Sequence, residues 1–475
     1  MCSNEVENTP RVWPRVRIGE VAEVFDGPHA TPTKTMAGPV FLGISALNRG
    51  RLDLSNTEHL SEDEFVTWTR RVTPRSGDVV FSYETRIGEA AIIPDGLRCC
   101  LGRRMGLVRA DPSKLDPHFF LYQYLSPAFQ DFLTSRTIHG STVDRIALKE
   151  FPDFEIDLPP LAVQRHVAQV MADVDAKGDI NLRINQTLEA MAQAIFKSWF
   201  VDFDPVKAKI AAIQDGRDPL CAAMSAISGK SDAELDALQP EQYDPLAATA
   251  ALFPDEMEES ELGPIPKAWS HKALAQLTDK IGSGATPRGG KEVYLADGVA
   301  LIRSQNVYDS LFVWEGLARI SDEAATQLKG VAVQEDDVLL NITGASILRT
   351  CVVETDVLPA RVNQHVAIIR AKAGVPSRFI HMHLLRPDIK SYLLGLNAGA
   401  SREAITKAHI ESLTLLTPSP ELLAAFQTAT DPLFRQVQRF GRQMRVLGEL
   451  RDALLPKLLS GELSVEALAD PVGEA

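Results

Sequence analysis

One stretch of this chain recurs about 256–261 residues later, and that repeat limits the possible folds more than any other feature. Trp13 opens WPRVRIGEVAEVFDGPHATP, and Trp269 opens WSHKALAQLTDKIGSGATP. Both reach a Gly-rich turn ending in Thr-Pro, at Gly27…Thr31-Pro32 and Gly282…Thr286-Pro287. Next comes a short apolar strand with a polar stretch: Val40–Ile44 with Asn48–Arg51, and Val299–Ile302 with Arg303–Asn306. Gly77-Asp78-Val79-Val80-Phe81 matches Asp336-Asp337-Val338-Leu339-Leu340, and Ala91-Ile92-Ile93 matches Cys351-Val352-Val353. A helix is expected in each copy, around Phe119–Leu133 and Phe379–Leu394. The first opens on an Asp116 cap with Pro117 at its first position. Ser141 to Ile146 then matches Ser401 to Ile405, and each copy closes on a proline turn, Pro159-Pro160 and Pro418…Pro420. Matches in one order at a near-constant lag predict two related domains of about 145–150 residues. Each mixes short strands with helices, so the class is α+β. Each is large enough to bury its own core.

A long helix is expected after each copy. Val163 to Phe200 has no proline and a single glycine, Gly178. Val167, Val174, Leu188 and Ile195 recur at heptad spacing, and Asn181 falls in the same stripe, where a buried Asn fixes register at some cost in stability. In the second, Leu433, Phe440, Leu447 and Leu454 repeat every seven residues after Phe426, with Asp431-Pro432 read as a helix restart. A seven-residue apolar period calls for a partner helix. The nearest candidate is the other long helix of the same chain, paired antiparallel as a coiled coil; an intermolecular coiled coil is the alternative. At about 1.5 Å per residue, such a rod of roughly 40–60 Å exceeds one turn of B-DNA. The expected order is a domain at 1–158, a helix at 159–209, a connector at 210–266, a domain at 267–418, a helix at 419–463 and a tail at 464–475.

Charge follows this division. The chain carries 49 basic and 63 acidic side chains, net −14, which argues against a generic polyanion binder. Residues 159–266 hold 8 basic and 18 acidic groups, net −10, including Asp255, Glu256, Glu258, Glu259 and Glu261. The connector therefore reads as a solvated linker, with an acidic contact for a partner protein as the alternative. Ser231…Glu234 suits a short capped helix there. The two repeated domains are nearly neutral.

Several classes are excluded. No stretch approaches 18 consecutive apolar residues, so no membrane span is expected, and polar Met1 to Pro10 does not suit a signal peptide. Five cysteines without CxxC spacing read as free thiols of a cytoplasmic protein, with no zinc site. Gly229-Lys230-Ser231 resembles the end of a P-loop, but Met224 stands where the first glycine belongs. Gly282-Ser283-Gly284 lacks a third glycine, because Pro287 takes its place. His381 and His383 suit packing rather than metal binding. Without a complete catalytic constellation, a binding protein is favoured over an enzyme.

Polar clusters fall on the expected loops. The first copy offers Asn48, Arg49, Arg51, Thr85, Arg86, Arg103, Arg104, Ser141, Thr142 and Arg145. The second offers Ser283, Thr286, Arg288, Lys291, Arg303, Ser304, Gln305 and Asn306, then Asn341, Thr343, Asn363, Gln364, His365, Ser401, Arg402 and Lys407. Arg suits guanine and Asn or Gln suits adenine in the major groove, while Lys, Ser and Thr suit phosphates.

The runs LPPLAVQRHVAQVMADVD (Leu158 to Asp175) and NQTLEAMAQAIFKSWFVDFDPVKAK (Asn185 to Lys209) resemble the central conserved region of Type I restriction–modification specificity (S) subunits. LFPDEMEESELGPIPKAW (Leu252 to Trp269) resembles the lead into a second target recognition domain, and LRDALLPKLLSGEL (Leu450 to Leu463) the distal conserved region. The resemblance implies a non-catalytic DNA-recognition subunit. Its two target recognition domains each read half of a bipartite, asymmetric site in double-stranded DNA, and the two helices set the gap. It further implies two methyltransferase (M) subunits and two restriction/translocase (R) subunits as partners. S-adenosylmethionine, ATP and Mg²⁺ then belong to those partners, with none in this chain. The alternatives are the S-type subunit of a related system whose partner fuses methylation and cleavage, and a coiled-coil scaffold joining two protein-binding domains.

Overall fold

The computed structural model describes residues 13–140, 143–396 and 404–463. The chain divides into two compact units, one formed by residues 1–182 and 441–475, the other by 183–440. Both mix strands and helices, as expected for an α+β protein.

In the first unit, four antiparallel strands lie in the order Ala22–Asp26, Met105–Ala110, Val79–Ser82, Ala90–Ile92. Thr35–Leu42 pairs in parallel with Cys99–Leu101, and Leu47–Asn48 forms a hairpin with Arg51–Leu52. Arg15–Arg17 pairs with Glu155–Asp157 where the segment begins and ends. The second unit repeats each feature. Its antiparallel sheet runs Thr278–Ser283, Val366–Ala371, Val338–Asn341, Thr350–Val352. Val299–Ile302 pairs in parallel with Ala360–Val362, the hairpin is Val307–Tyr308 with Leu311–Phe312, and Ser270–Ala273 pairs with Thr414–Thr417.

One buried ion pair is duplicated. Asp78 accepts both the Nε and an Nη hydrogen bond of Arg109 at 2.9 and 2.6 Å, and Asp337 those of Arg370 at 2.7 and 2.8 Å. Each carboxylate also accepts a backbone N–H three residues upstream, from Arg75 and from Gln334. Hydrogen bonding to the aspartate raises both arginines above their ordinary pKa. Bidentate geometry and the extra N–H offset the desolvation of each pair. The preceding residues, Gly77 and Asp336, both take left-handed φ. Asp tolerates that conformation, so the glycine need not recur.

The pairing refines the alignment of the copies. Gly27 N–H bonds Met105 O and Gly284 N–H bonds Val366 O, so Gly284, not Gly282, is the partner of Gly27. A Cβ on Gly284 would lie 2.0 Å from Val362 O, and one on Gly27 2.7 Å from Gly102 O. Likewise the hairpin at Asn48–Arg51 corresponds to Tyr308–Leu311, not to Arg303–Asn306.

Each expected mid-copy helix is split. Pro117–Leu125 and Pro127–Ser135 form one pair, Ser377–Leu385 and Pro387–Gly395 the other. Pro127 and Pro387 hold the preceding residue in extended conformation, which ends the first helix of each pair. Asp116 caps as expected, accepting from His118 and Phe119 N–H at 3.0 Å.

The long helices are Leu161–Phe200 and Pro420–Ser460. The second runs straight through Pro432, so the expected restart at Asp431 does not occur. A mid-helix proline costs about 3 kcal/mol. Phe426 and Phe434, buried on either side of it, hold the helix in the apolar core of its unit. Of the heptad residues, Val167 is fully buried, while Val174, Leu188, Ile195, Leu433, Phe440, Leu447 and Leu454 are partly so. The middle of the stripe is polar. Asn181, fully buried, donates to Gln443 Oε1 at 3.3 Å within the first unit. Asn185 donates to Val437 O at 3.1 Å within the second. Gln164 fixes the start of the first helix: it accepts from Asp116 N–H and donates to Lys114 O and Pro159 O.

The FKSWFVDFDPV string forms an aromatic knot. Phe196, Trp199, Phe200 and Phe203 pack with Phe253, Trp269, Phe379 and Phe426 at centroid separations of 5.1–6.1 Å. His383 packs edge-on against Phe196 and Phe379, and burial pushes His381 and His383 down to about 3.

The connector is folded rather than a linker. Helices Asp204–Gln214, Pro219–Ser228, Asp232–Asp236 and Pro240–Ala251 enclose a small core of Ala223, Met224, Leu235 and Ala250. Buried side chains at helical spacing supply the energy that a linker lacks. Ser231 and Glu234 form the expected capping box, and Gly229 is the left-handed C-cap of the preceding helix. The acidic run lies on the hairpin Met257–Ser260 with Gly263–Pro266. No helix among the described residues is long and apolar enough to cross a membrane.

Candidate nucleic-acid interface

In the first unit, four loops meet beside the parallel strand pair. Gly102 N–H bonds Leu42 O, Tyr83 N–H bonds Arg104 O, Thr85 N–H bonds Asp144 O, and Ile146 N–H bonds Tyr83 O. These bonds bring Thr85, Arg86, Arg104 and Arg145 together, with Arg103 exposed beside them. Their freedom differs. Arg104 bonds Thr85 Oγ1 at 3.2 Å and pairs with Glu84 at 3.0 Å. Arg86 donates to Ile44 O and Glu89, so its guanidinium holds the loop. Asn48 and Arg49 are exposed on the hairpin, where Arg49 and Gly50 take left-handed φ and Arg49 N–H donates to Glu89 Oε2 at 2.8 Å. Arg51 instead pairs with Asp179 of the first long helix.

In the second unit, the matching loops carry a chain of hydrogen bonds. Thr286 hydroxyl donates to Gln364 Oε1 at 2.5 Å, and the Gln364 amide nitrogen lies 3.0 Å from His365 Nε2. The other ring nitrogen, Nδ1, lies 2.7 Å from Thr343 Oγ1 and shares a hydrogen bond with that hydroxyl. Asn363 Oδ1 accepts His365 N–H. Ser283 and Arg288 are exposed nearby, and half-buried Ser304 accepts at its carbonyl from buried Asn341. Arg303 and Gln305 both donate to Gly316 O.

Asn306 leaves the candidate set. It is fully buried, and its amide donates to Val313 O and Glu315 O, so it builds the hairpin's base. Lys407 pairs with Glu411 one helical turn on. Ser141, Thr142, Ser401 and Arg402, and the side chain of Lys291, lie outside the described residues. Two residues were missed. Tyr308 is exposed on the second hairpin, and Arg349 lies 4.3 Å over its ring. Correct hairpin register, Leu47 against Val307 and Leu52 against Phe312, would have found Tyr308.

A family model of the Type I restriction modification DNA specificity domain matches residues 10–190. The HindI specificity subunit of Haemophilus influenzae is 31% identical over 341 residues, 68% of this chain and 72% of that protein. The chain belongs to the Type I restriction enzyme specificity subunits. The MjaIX specificity subunit of Methanocaldococcus jannaschii is 22% identical over 98% of this chain and 96% of its own length. The fold is that of the S subunit from M. genitalium, with a TM-score of 0.52 and 14% identity across 95% of this chain and 97% of that one. As a specificity subunit, the chain is the DNA-recognition component of a system in which S subunits act with M and R subunits.

Proposed function

We propose that this specificity subunit reads a bipartite, asymmetric DNA sequence, one half per recognition domain, without catalysing any reaction itself. The observation that carries this reading is the duplicated sheet with its Asp–Arg pair, which gives one chain two readers of the same build. The long helices act as an antiparallel coiled-coil spacer that sets the gap, supported by the contacts of Asn181 with Gln443 and Asn185 with Val437. Two M and two R subunits assemble on it and hold S-adenosylmethionine, ATP and Mg²⁺. Asn48, Arg49, Thr85, Arg103, Arg104 and Arg145 face DNA in the first domain. Ser283, Thr286, Arg288, Arg303, Ser304, Thr343, Asn363 and Gln364 do so in the second. The two domains hold 35 basic and 37 acidic groups together, so the M subunits supply much of the phosphate contact.

The test is to co-express the chain with the methyltransferase encoded beside it and map adenine methylation genome-wide. One bipartite motif with a fixed gap is expected. Replacing residues 270–417 with another recognition domain should change one half-motif only. Random methylation by an intact complex, or a change in both halves, refutes the reading.

A further inference from the structure

The first recognition hairpin is tied to a long helix through a side chain that the second hairpin lacks. In the first unit, Arg51 of the hairpin pairs with Asp179. One turn back on the same helix, Asp175 accepts the hydroxyl of buried Tyr122 at 2.9 Å and pairs with Arg451 of the second long helix at 3.7 Å. Arg51, Asp175, Asp179 and Arg451 share the walls of one cleft of about 210 Å³. The Arg51 and Asp179 side chains are 49% and 37% exposed. A lone pair so exposed contributes little. Here, however, two arginines and two aspartates converge, and the aspartates sit on a rigid helix already held by Gln164. At the position of Arg51 the second unit has Leu311, 54% exposed and without charge.

We infer that Arg51 is a positioning residue that braces the first recognition hairpin against the spacer helix through Asp179, rather than a reader of bases. A guanidinium bonded to Asp179 fixes where the hairpin stands along the helix, and therefore where the first half-site must begin relative to the gap. This rests on the bipartite reading proposed above. The brace makes gap length, not base identity, the property that Arg51 controls.

The experiment uses the full chain in complex with its methyltransferase subunits. It measures methylation of a plasmid series carrying the native gap, one base pair more and one fewer. Arg51→Ala and Asp179→Asn should each raise methylation at the altered gaps relative to the native gap by about threefold, the size a surface ion pair supports, with unchanged half-site bases. The exchanged pair Arg51→Asp with Asp179→Arg should restore the native ratio. A change in the bases required in one half-site would mean that Arg51 reads DNA, and would overturn the inference. So would an unchanged gap ratio in both single variants. Asp179→Asn, an isosteric change at a helix surface, keeps the test open if Arg51→Ala fails to assemble. If the parent chain itself tolerates any gap, the bipartite reading falls and the brace with it. A fixed gap in the parent with unaltered variants overturns the brace alone.

Discussion

In the first unit the hairpin Leu47–Leu52 leans on a long helix through Arg51 and Asp179. In the second, the equivalent hairpin has other supports: Asp309 accepts from Thr350 N–H and pairs with Lys390 at 2.6 Å, and Arg349 covers Tyr308. Beneath the hairpins the two sheets share strand order, ion pair and glycine contact. Duplication has kept what the sheet needs and released what the loops display. Polarity follows the same rule: Glu89 under the first hairpin gives way to Arg349 under the second.

The shared parts predict shared losses. Asp78→Ala and Asp337→Ala should each destabilise the folded chain by about 3 kcal/mol, because each removes a buried carboxylate with three hydrogen bonds and leaves a partly exposed guanidinium without its ion partner. Chemical denaturation checks this. Effects differing by more than about 2 kcal/mol would show that the two sheets are not energetic equivalents. Gly284→Ala should cost about 2 kcal/mol, since its Cβ would meet two backbone oxygens, whereas Gly282→Ala should stay within about 0.5 kcal/mol. The reverse order would restore the Gly27–Gly282 alignment.

The smallest effect separates the carboxylates of the first long helix. Asp175 and Asp179 are paired, but burial raises Glu189 to about 7, with Arg378 opposing. Its folded pKa lies above the unfolded one, so the folded state holds the proton longer. Stability from this group is full below about pH 4.5 and falls as pH rises towards 7. Glu189→Gln should raise the melting temperature by a few degrees at pH 8 and leave it unchanged at pH 4. An equal shift at both values would assign the effect to packing instead.

Much of this was legible in the sequence. Heptad spacing gave the long helices, and Gly/Asp-Asp-apolar runs marked the sheet centre, because buried positions restrict residue type. The sequence alignment of the hairpins is five residues out of register, because Asn48 and Tyr308 share exposure and little else. Arg51 reads from the sequence as a DNA contact, and nothing local shows that Asp179, 128 residues away, accepts its guanidinium. The connector's fold was hidden by its charge: four small helices around Met224 and Leu235 need few apolar residues, and the acidic ones dominate the composition.

One feature of both units bears on how such a protein changes over generations. Arg15–Arg17 lies beside Glu155–Asp157, and Ser270–Ala273 beside Thr414–Thr417. The chain thus passes in and out of each repeated segment through adjacent strands, about 4.8 Å apart. A foreign cassette need match only two neighbouring seams to be accepted by recombination. If each segment reads one half-site as proposed, target preference is inherited in whole blocks, while the helices, the aromatic knot and the acidic helical insert stay as they are.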